Sequence, residues 1–239
     1  MGGTVMVKTK LYIARHGKTM FNTIGRAQGW SDSPLTVDGE RGIQELGLGL
    51  KDAGIVFKEA FSSDSGRTLQ TMEIILRECQ QENIPYTRDK RIREWCFGSL
   101  DGGYDGELFD GVLPRVFDKD MTKLTYQEMA AGIYQVDTAG WAETWEVLSS
   151  RILEGFTAIA EKIEALGGGN AIVVSHGMTI GTFLWLIDHA TPRSLGLDNG
   201  SVSVVSFENG KFTIESIGDV SYRLRGRQIL EERKNGKKA

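Results

Sequence analysis

The chain has 239 residues, of which 40% are hydrophobic and 25% are charged, and its formal net charge is −4. This composition is typical of one globular domain with a core of its own. The acidic balance argues against broad nucleic-acid binding, which needs a basic surface. No run approaches the ~18 apolar residues that cross a membrane, and two cysteines are too few for a disulfide framework or a metal cluster. We therefore expect a cytoplasmic protein without nucleic-acid or membrane partners.

The first predicted strand ends in a cation, an imidazole and a glycine. Residues 11–14 form a short apolar run that favours β structure, and Arg15, His16 and Gly17 follow it directly. Ligands of open α/β sheets bind at the carboxyl ends of strands, so Arg15 and His16 are candidate site residues. A histidine in this position is also often satisfied by local hydrogen bonds, and other parts of the chain have to decide between the two interpretations.

Helical and extended patterns alternate through most of the remaining chain. In chain order, the patterns predict a helix from Thr36 or Asp38 to Gly54, a strand over 56–62, a helix that opens at 62–64, a strand over 86–93, a helix over 141–166, a strand over 171–175, a helix over 178–187, and a hairpin of strands over 201–207 and 212–217. This alternation is typical of the α/β class, with a largely parallel sheet and an antiparallel edge.

Two stretches depart from this alternation. Residues 99–140 have weak periodicity, clustered glycines, and eight acidic against three basic residues, which predicts a partly helical insertion over one face of the sheet. Residues 225–239 contain six basic and two acidic residues, and we expect them to form a solvated, mobile tail. Residues 1–224 are then a single domain that includes the insertion.

Arg67 falls in the first turn of a predicted helix, where the helix dipole disfavours a cation. An anion held at the start of the helix is one explanation for an arginine there. A surface ion pair with Asp64 is the other, and the sequence alone leaves both open.

A second histidine repeats the arrangement of the first. The apolar run 171–175 is followed by His176 and Gly177, and Glu94 follows the strand predicted over 86–93. If these strands are neighbours, two imidazoles, two guanidiniums and a carboxylate meet in one pocket, a set that suits a tetrahedral oxyanion. A neutral imidazole can attack phosphorus, and a glutamate can transfer the protons. This set requires no metal and no cofactor, because the arginines can neutralise the developing charge.

The same residues resemble the histidine phosphatase superfamily, the phosphoglycerate mutase-like proteins. The resemblance covers roughly residues 8–218 and rests on five blocks in order: residues 15–19 with Asn22; residues 28–36 with Gly39; residues 62–64 with Arg67, Thr68 and Thr71; Glu94 with Gly98; and residues 175–177. It implies a three-layer α/β/α sandwich around a mostly parallel mixed sheet. The insertion at 99–140 would be a lid that shapes specificity.

Residue by residue, the resemblance implies that His16 is the phosphorylated nucleophile and that Glu94 is the proton donor. Both act with Arg15, Arg67 and His176, which bind the phosphoryl oxygens. The residues expected to contact substrate are Arg15, Asn22, Gln28, Gly29, Arg67, His176 and Gly177.

Within this family we expect a phosphatase that acts on a small phosphorylated metabolite. Cofactor-dependent mutases carry an Arg-Arg-Ser-Phe-Asp segment and adjacent prolines in the insertion, and this chain has neither. The acidic insertion also suits a second phosphate poorly, although Lys18 and Arg26 are candidates to hold a second anionic group. A phosphoglycerate mutase and a catalytically silent phosphate-binding regulator remain alternatives. The substrate and the oligomeric state, including a homodimer, are left open.

Overall fold

The computed structural model describes residues 7–193 and 196–236. The strands in these residues are β1 (Thr9–Arg15), β2 (Phe57–Ser62), β3 (Tyr86–Arg88), β4 (Gly169–Ser175), β5 (Val202–Glu208) and β6 (Lys211–Asp219). The α-helices are α1 (Met20–Ile24), α2 (Val37–Asp52), α3 (Gly66–Cys79), α4 (Leu113–Phe117), α5 (Tyr126–Val136), α6 (Trp145–Ala165), α7 (Gly177–Ile187) and α8 (Ser221–Gly236).

The strands form one sheet in the order β3-β2-β4-β1-β5-β6. The four strands β3, β2, β4 and β1 are parallel to one another, whereas the β1–β5 and β5–β6 pairs are antiparallel, so the sheet is mixed and mostly parallel as predicted. In the β1–β4 pair, Arg15 lies opposite Ser175. Because parallel strands end at the same edge of a sheet, this register brings His16 and His176 to neighbouring positions.

Side chains of β1 alternate between two cores, one on each face of the sheet. Leu11 and Ile13 pack with apolar residues of α5, α6 and α7, and Ala14 packs with those of α2 and α3. Helices therefore cover both faces, and the predicted three-layer α/β/α sandwich is confirmed. No helix in the described ranges is long and apolar enough to cross a membrane.

The insertion at 99–140 is partly helical, as predicted. A single π-helical turn over Glu107–Val112 leads into α4, and a 3₁₀ turn over Met121–Lys123 precedes α5. Met129 and Ile133 of α5 are buried in the core on the α6 side of the sheet. The insertion therefore covers one end of that face.

The strand predicted over 86–93 is wrong beyond Arg88. The Asp89 carboxylate accepts a hydrogen bond from the Arg91 amide at 2.8 Å, and a 3₁₀ turn over Lys90–Ile92 follows. A short acidic side chain that bonds to nearby backbone offers the chain an alternative to the sheet ladder. As a result, Glu94 follows a turn rather than a strand.

The mobile tail expected from residue 225 is also wrong for the residues that the structure describes. Helix α8 continues to Gly236 and packs along α2, and Arg227 pairs with Glu45 at 3.1 Å. Gly226 allows the close approach, because a Cβ there would lie 1.7 Å from the Glu45 carbonyl oxygen. Residues 237–239 of the predicted tail lie outside the described residues.

Candidate active site

A cavity of about 460 Å³ lies between the carboxyl ends of the strands and the insertion. Six of the residues expected at the site line it: Arg15, His16, Asn22, Gln28, Glu94 and Gly177. The insertion contributes a mainly apolar wall that includes Phe109, Met121, Tyr126 and Met129. The structure therefore brings most of the predicted site together in one place.

The His16 ring is oriented by the turn that follows β1. Its Nδ1 lies 2.8 Å from the Gly17 carbonyl oxygen, which can only accept a hydrogen bond, so Nδ1 carries the proton of the neutral ring. Burial, together with the charges of Arg67 and Arg15, lowers the pKa of His16 well below its ordinary value. The ring is therefore neutral near pH 7, and Nε2 keeps a free lone pair for attack.

Arg15 and Asn22 supply donors at the same wall of the cavity. Nη1 of Arg15 donates to the Leu197 carbonyl at 2.6 Å, and its buried Nε finds no partner among the described residues. Burial lowers the pKa of this guanidinium, which nevertheless stays charged at neutral pH. The Asn22 oxygen accepts from the Thr19 amide at 3.2 Å, which leaves the amide group of Asn22 to face other acceptors.

All five N–H groups of Arg67 can be assigned to protein acceptors. These are Nδ1 of His176, the carbonyl oxygens of Gln28, Gly29 and Ser31, and the carboxylate of Asp32. Of the two explanations left open by the sequence, the ion pair with Asp64 is wrong, because Arg67 pairs with Asp32 at 2.8 Å and Asp64 pairs with Arg93. The first-turn arginine is thus explained by a loop that wraps around its guanidinium.

His176 lies behind His16, with the two ring centroids 5.4 Å apart. Its Nδ1 accepts from Nε of Arg67 at 3.2 Å, so the neutral ring is protonated on Nε2, which donates to the Ser63 hydroxyl at 2.7 Å. Burial and the Arg67 charge lower its pKa well below the ordinary value. His176 and Arg67 do not line the cavity, and their direct contact with phosphoryl oxygens stays a prediction.

Glu94 is fixed by the start of α7. Its carboxylate accepts from the backbone amides of Trp95, Met178 and Thr179 at 2.9–3.1 Å and from the Thr179 hydroxyl at 3.0 Å. The side chain is buried except where it meets the cavity. These hydrogen bonds hold the Glu94 carboxylate in one orientation at the cavity wall, as the transfer of a proton to or from a substrate requires.

Gln28 and Gly29 differ in their relation to the cavity. The Gln28 amide lines the cavity and is oriented by Thr19 at 3.0 Å and by Ser33 at 2.6 Å. Gly29 does not line it: its amide donates to Asp101, and a Cβ there would lie 2.3 Å from the Trp95 carbonyl oxygen. Substrate contact at Gly29 therefore stays a prediction, and in this structure the residue packs the loop around Arg67.

The structure adds two residues to the predicted site and places Lys18 outside it. Asp105 of the insertion lines the cavity, and burial raises the pKa of its carboxyl group. Asn199 bonds to both His16 and Asn22 from behind. Lys18 opens instead onto a separate cavity on the α2 side, so of the two cations considered for a second anionic group only Arg26 lines the catalytic cavity. Sequence spacing carried no signal for these placements, because they depend on contacts between distant segments.

Comparison with known proteins agrees with this geometry. Residues 11–220 match the sequence model of the histidine phosphatase superfamily (branch 1). The chain belongs to the histidine phosphatase superfamily. The resemblance predicted from the five sequence blocks is thereby confirmed.

Several superfamily relatives are similar to this chain along most of its length. A protein of Salmonella paratyphi B named probable phosphoglycerate mutase GpmB is 32% identical over 228 residues, which cover 89% of this chain and 94% of the relative. The crystal structure of phosphoglycerate mutase from Bacillus anthracis has a TM-score of 0.88 and 37% identity, covering 94% of this chain and 99% of that one. YhfR of Bacillus stearothermophilus has a TM-score of 0.70 and 28% identity, covering 90% and 99%.

Proposed function

We propose that this protein is a metal-independent phosphatase that hydrolyses small phosphate monoesters through a phosphohistidine at His16. The observation that carries the proposal is the hydrogen bond between Nδ1 of His16 and the Gly17 carbonyl, at 2.8 Å. That bond leaves an unprotonated Nε2 at the wall of a cavity that also presents Arg15 and Asn22. An imidazole in this state is a nucleophile for phosphorus.

In the first half of the reaction, Nε2 of His16 attacks the phosphorus atom and the bond to the ester oxygen breaks. Arg15 and Asn22 bind the phosphoryl oxygens as their charge develops. Glu94 in its protonated form gives its proton to the departing oxygen, so an alcohol leaves.

In the second half, a water molecule attacks the phosphohistidine and gives its proton to the Glu94 carboxylate. The bond between phosphorus and Nε2 breaks, and inorganic phosphate leaves with the site restored. The charges of Arg15 and of the buried Arg67 provide electrostatic stabilisation, so the proposed mechanism needs no metal. We infer that the reaction serves a soluble phosphorylated metabolite in the cytoplasm.

The cavity wall favours a single phosphoryl group per substrate. The cavity is also lined by Arg26 and Arg193, and each uses part of its donors within the protein: Arg26 donates to the Gly102 carbonyl at 2.8 Å and Arg193 to the Thr122 carbonyl at 2.7 Å. Asp105 adds a negative charge to the same cavity. A second phosphate would meet this carboxylate, whereas the apolar wall suits an organic group.

A phosphoglycerate mutase is the second candidate. Its support is that the similar proteins of Salmonella paratyphi B and Bacillus anthracis carry that name. A mutase uses the same phosphohistidine but returns the phosphoryl group to substrate instead of water. The two functions therefore differ in what the cavity admits and not in the nucleophile.

The deciding experiment is a phosphate-release assay across a panel of phosphorylated metabolites, with a chelator present, for the wild type and His16→Ala. We expect release by the wild type, an acid-labile phosphoenzyme, and loss of both in the variant. A parallel assay supplies 3-phosphoglycerate with 2,3-bisphosphoglycerate. Formation of 2-phosphoglycerate faster than phosphate release would favour the mutase and overturn the phosphatase.

A further inference from the structure

The segment just before β5 contributes Leu197 and Asp198 to the cavity wall and is bonded to the end of β1. The Gly200 amide donates to the Arg15 carbonyl at 3.0 Å, and the Arg15 amide donates to the Ser201 carbonyl at 3.1 Å. Asn199 belongs to the same segment, between Asp198 of the cavity wall and Gly200. None of the five sequence blocks that indicate the family contains this residue.

Both hydrogen-bond contacts of the Asn199 amide group are to site residues. Its Nδ2 donates to the His16 carbonyl at 3.0 Å and to the Asn22 side-chain oxygen at 3.3 Å. An amide nitrogen carries two hydrogens, so these two contacts use its donor capacity completely. One side chain therefore connects the nucleophile to a residue expected to contact phosphate.

The contact with Asn22 decides which way the Asn22 amide points. The Asn22 oxygen accepts from the Thr19 amide at 3.2 Å as well as from Asn199, so both of its lone pairs are engaged by donors. The NH₂ group of Asn22 is then directed away from these two groups, and Asn22 lines the cavity. In the flipped orientation, an oxygen atom would face the anionic phosphoryl group and repel it.

We propose that Asn199 is a positioning residue for phosphoryl transfer, which keeps the Asn22 amide in its donor orientation and fixes the backbone at His16. Arg223 supports it from α8, since its Nη1 donates to the Asn199 carbonyl at 2.6 Å. Arg223 lies beyond residue 220, where the match to the superfamily ends. Helix α8 is therefore connected to the site by one hydrogen bond, from Arg223 to Asn199.

Asn199→Asp tests the proposal with a nearly isosteric change. A carboxylate at this position cannot donate to His16, and it accepts from the Asn22 amide, which turns the Asn22 oxygen toward the phosphoryl group. We expect kcat/KM for phosphate release to fall by about 10- to 100-fold, and the binding of inorganic phosphate, measured directly, to weaken. Asn199→Ala, which removes the constraint without reversing it, should lose less. The matched control is Asn170→Asp. The Asn170 amide donates to the Val56 carbonyl at 3.0 Å, at the end of β4 that lies away from His176.

A double-mutant cycle separates positioning from general support of the fold. In an Asn22→Ala background, Asn199→Asp should cause little further loss of phosphate affinity, because the group that it orients is absent. Additive losses, or a control that loses as much as Asn199→Asp, would overturn the proposal. So would failure of both Asn199 variants to fold while the control folds. Binding of inorganic phosphate is measured independently of turnover, so a wild type without phosphatase activity would reject the proposed function and still test this proposal.

Discussion

Nε of Arg67 donates a hydrogen bond to Nδ1 of His176 at 3.2 Å, and this contact sets the protonation state of the second histidine. A guanidinium stays charged at any physiological pH and can only donate. His176 is therefore held as the neutral ring with its proton on Nε2. The arginine that sequence analysis assigned to phosphate also has a structural role, because it links α3 to the loop around Gly29.

Arg67→Lys should accordingly be far from conservative. Lysine keeps the charge but cannot supply the five donors, so the carbonyls of Gly29 and Ser31 lose their partners. We expect the free energy of unfolding to fall by about 2–4 kcal/mol and kcat/KM to fall by about 100-fold or more. Denaturant titration and phosphate release check the two effects. Arg77→Lys, on the exposed part of the same helix, is the matched control and should leave both unchanged.

Glu94→Gln should separate substrates by the quality of their leaving group. The variant cannot protonate the departing oxygen, so hydrolysis of an alkyl phosphate should slow by about 10²- to 10⁴-fold. Nitrophenolate leaves without a proton, and nitrophenyl phosphate should lose much less. The substitution also alters contacts with the α7 amides. Rates are therefore measured well below the melting temperatures of both the wild type and the variant. Equal losses on both substrates would remove Glu94 from the acid role.

The two buried histidines predict how stability depends on pH. Their folded-state pKa values lie well below the ordinary value of 6.5, so below pH 6.5 the unfolded chain binds more protons than the folded protein. Stability is therefore complete above that pH and falls as the pH drops, with a limiting slope of about 1.4 kcal/mol per pH unit for each histidine.

Denaturant titrations at pH 7.5 and 5.5 measure this slope. His16→Asn should reduce the loss of stability between the two pH values, because one buried imidazole is gone. His189→Asn, which removes an exposed histidine, is the control. A wild type whose stability is the same at both pH values would contradict the expected neutral state of the buried rings.

Gly226→Ala should show that α8 is a packed part of the domain. The new Cβ would lie 1.7 Å from the Glu45 carbonyl oxygen, so the two helices have to separate. We expect a loss of about 2–4 kcal/mol in the free energy of unfolding. Gly42→Ala on α2 is the control, because its Cβ would meet only Arg223 Cδ, at 3.8 Å. Equal effects of the two substitutions would mean that the close approach is not what makes Gly226 important.

Local chemistry explains which parts of the site sequence reasoning found. Arg15, His16 and His176 follow apolar runs that are strands in the structure, and strand ends of a parallel sheet collect at one edge. The three-layer architecture was predictable for a similar reason, because alternating apolar patterns determine which faces are buried. Where local bonds compete with the pattern, as at Asp89, the predicted element was too long.

What the sequence by itself determined is the set of groups available: two imidazoles, a carboxylate, the cations and the order in which they follow the strands. Only the tertiary structure decided how these groups are used. It turned Arg67 toward His176 and Asp32, directed Lys18 to a different cavity, packed α8 on α2, and brought Asn199 to Asn22. Each of these outcomes depends on hydrogen bonds or close packing between segments distant in the chain, and no local propensity specifies such contacts.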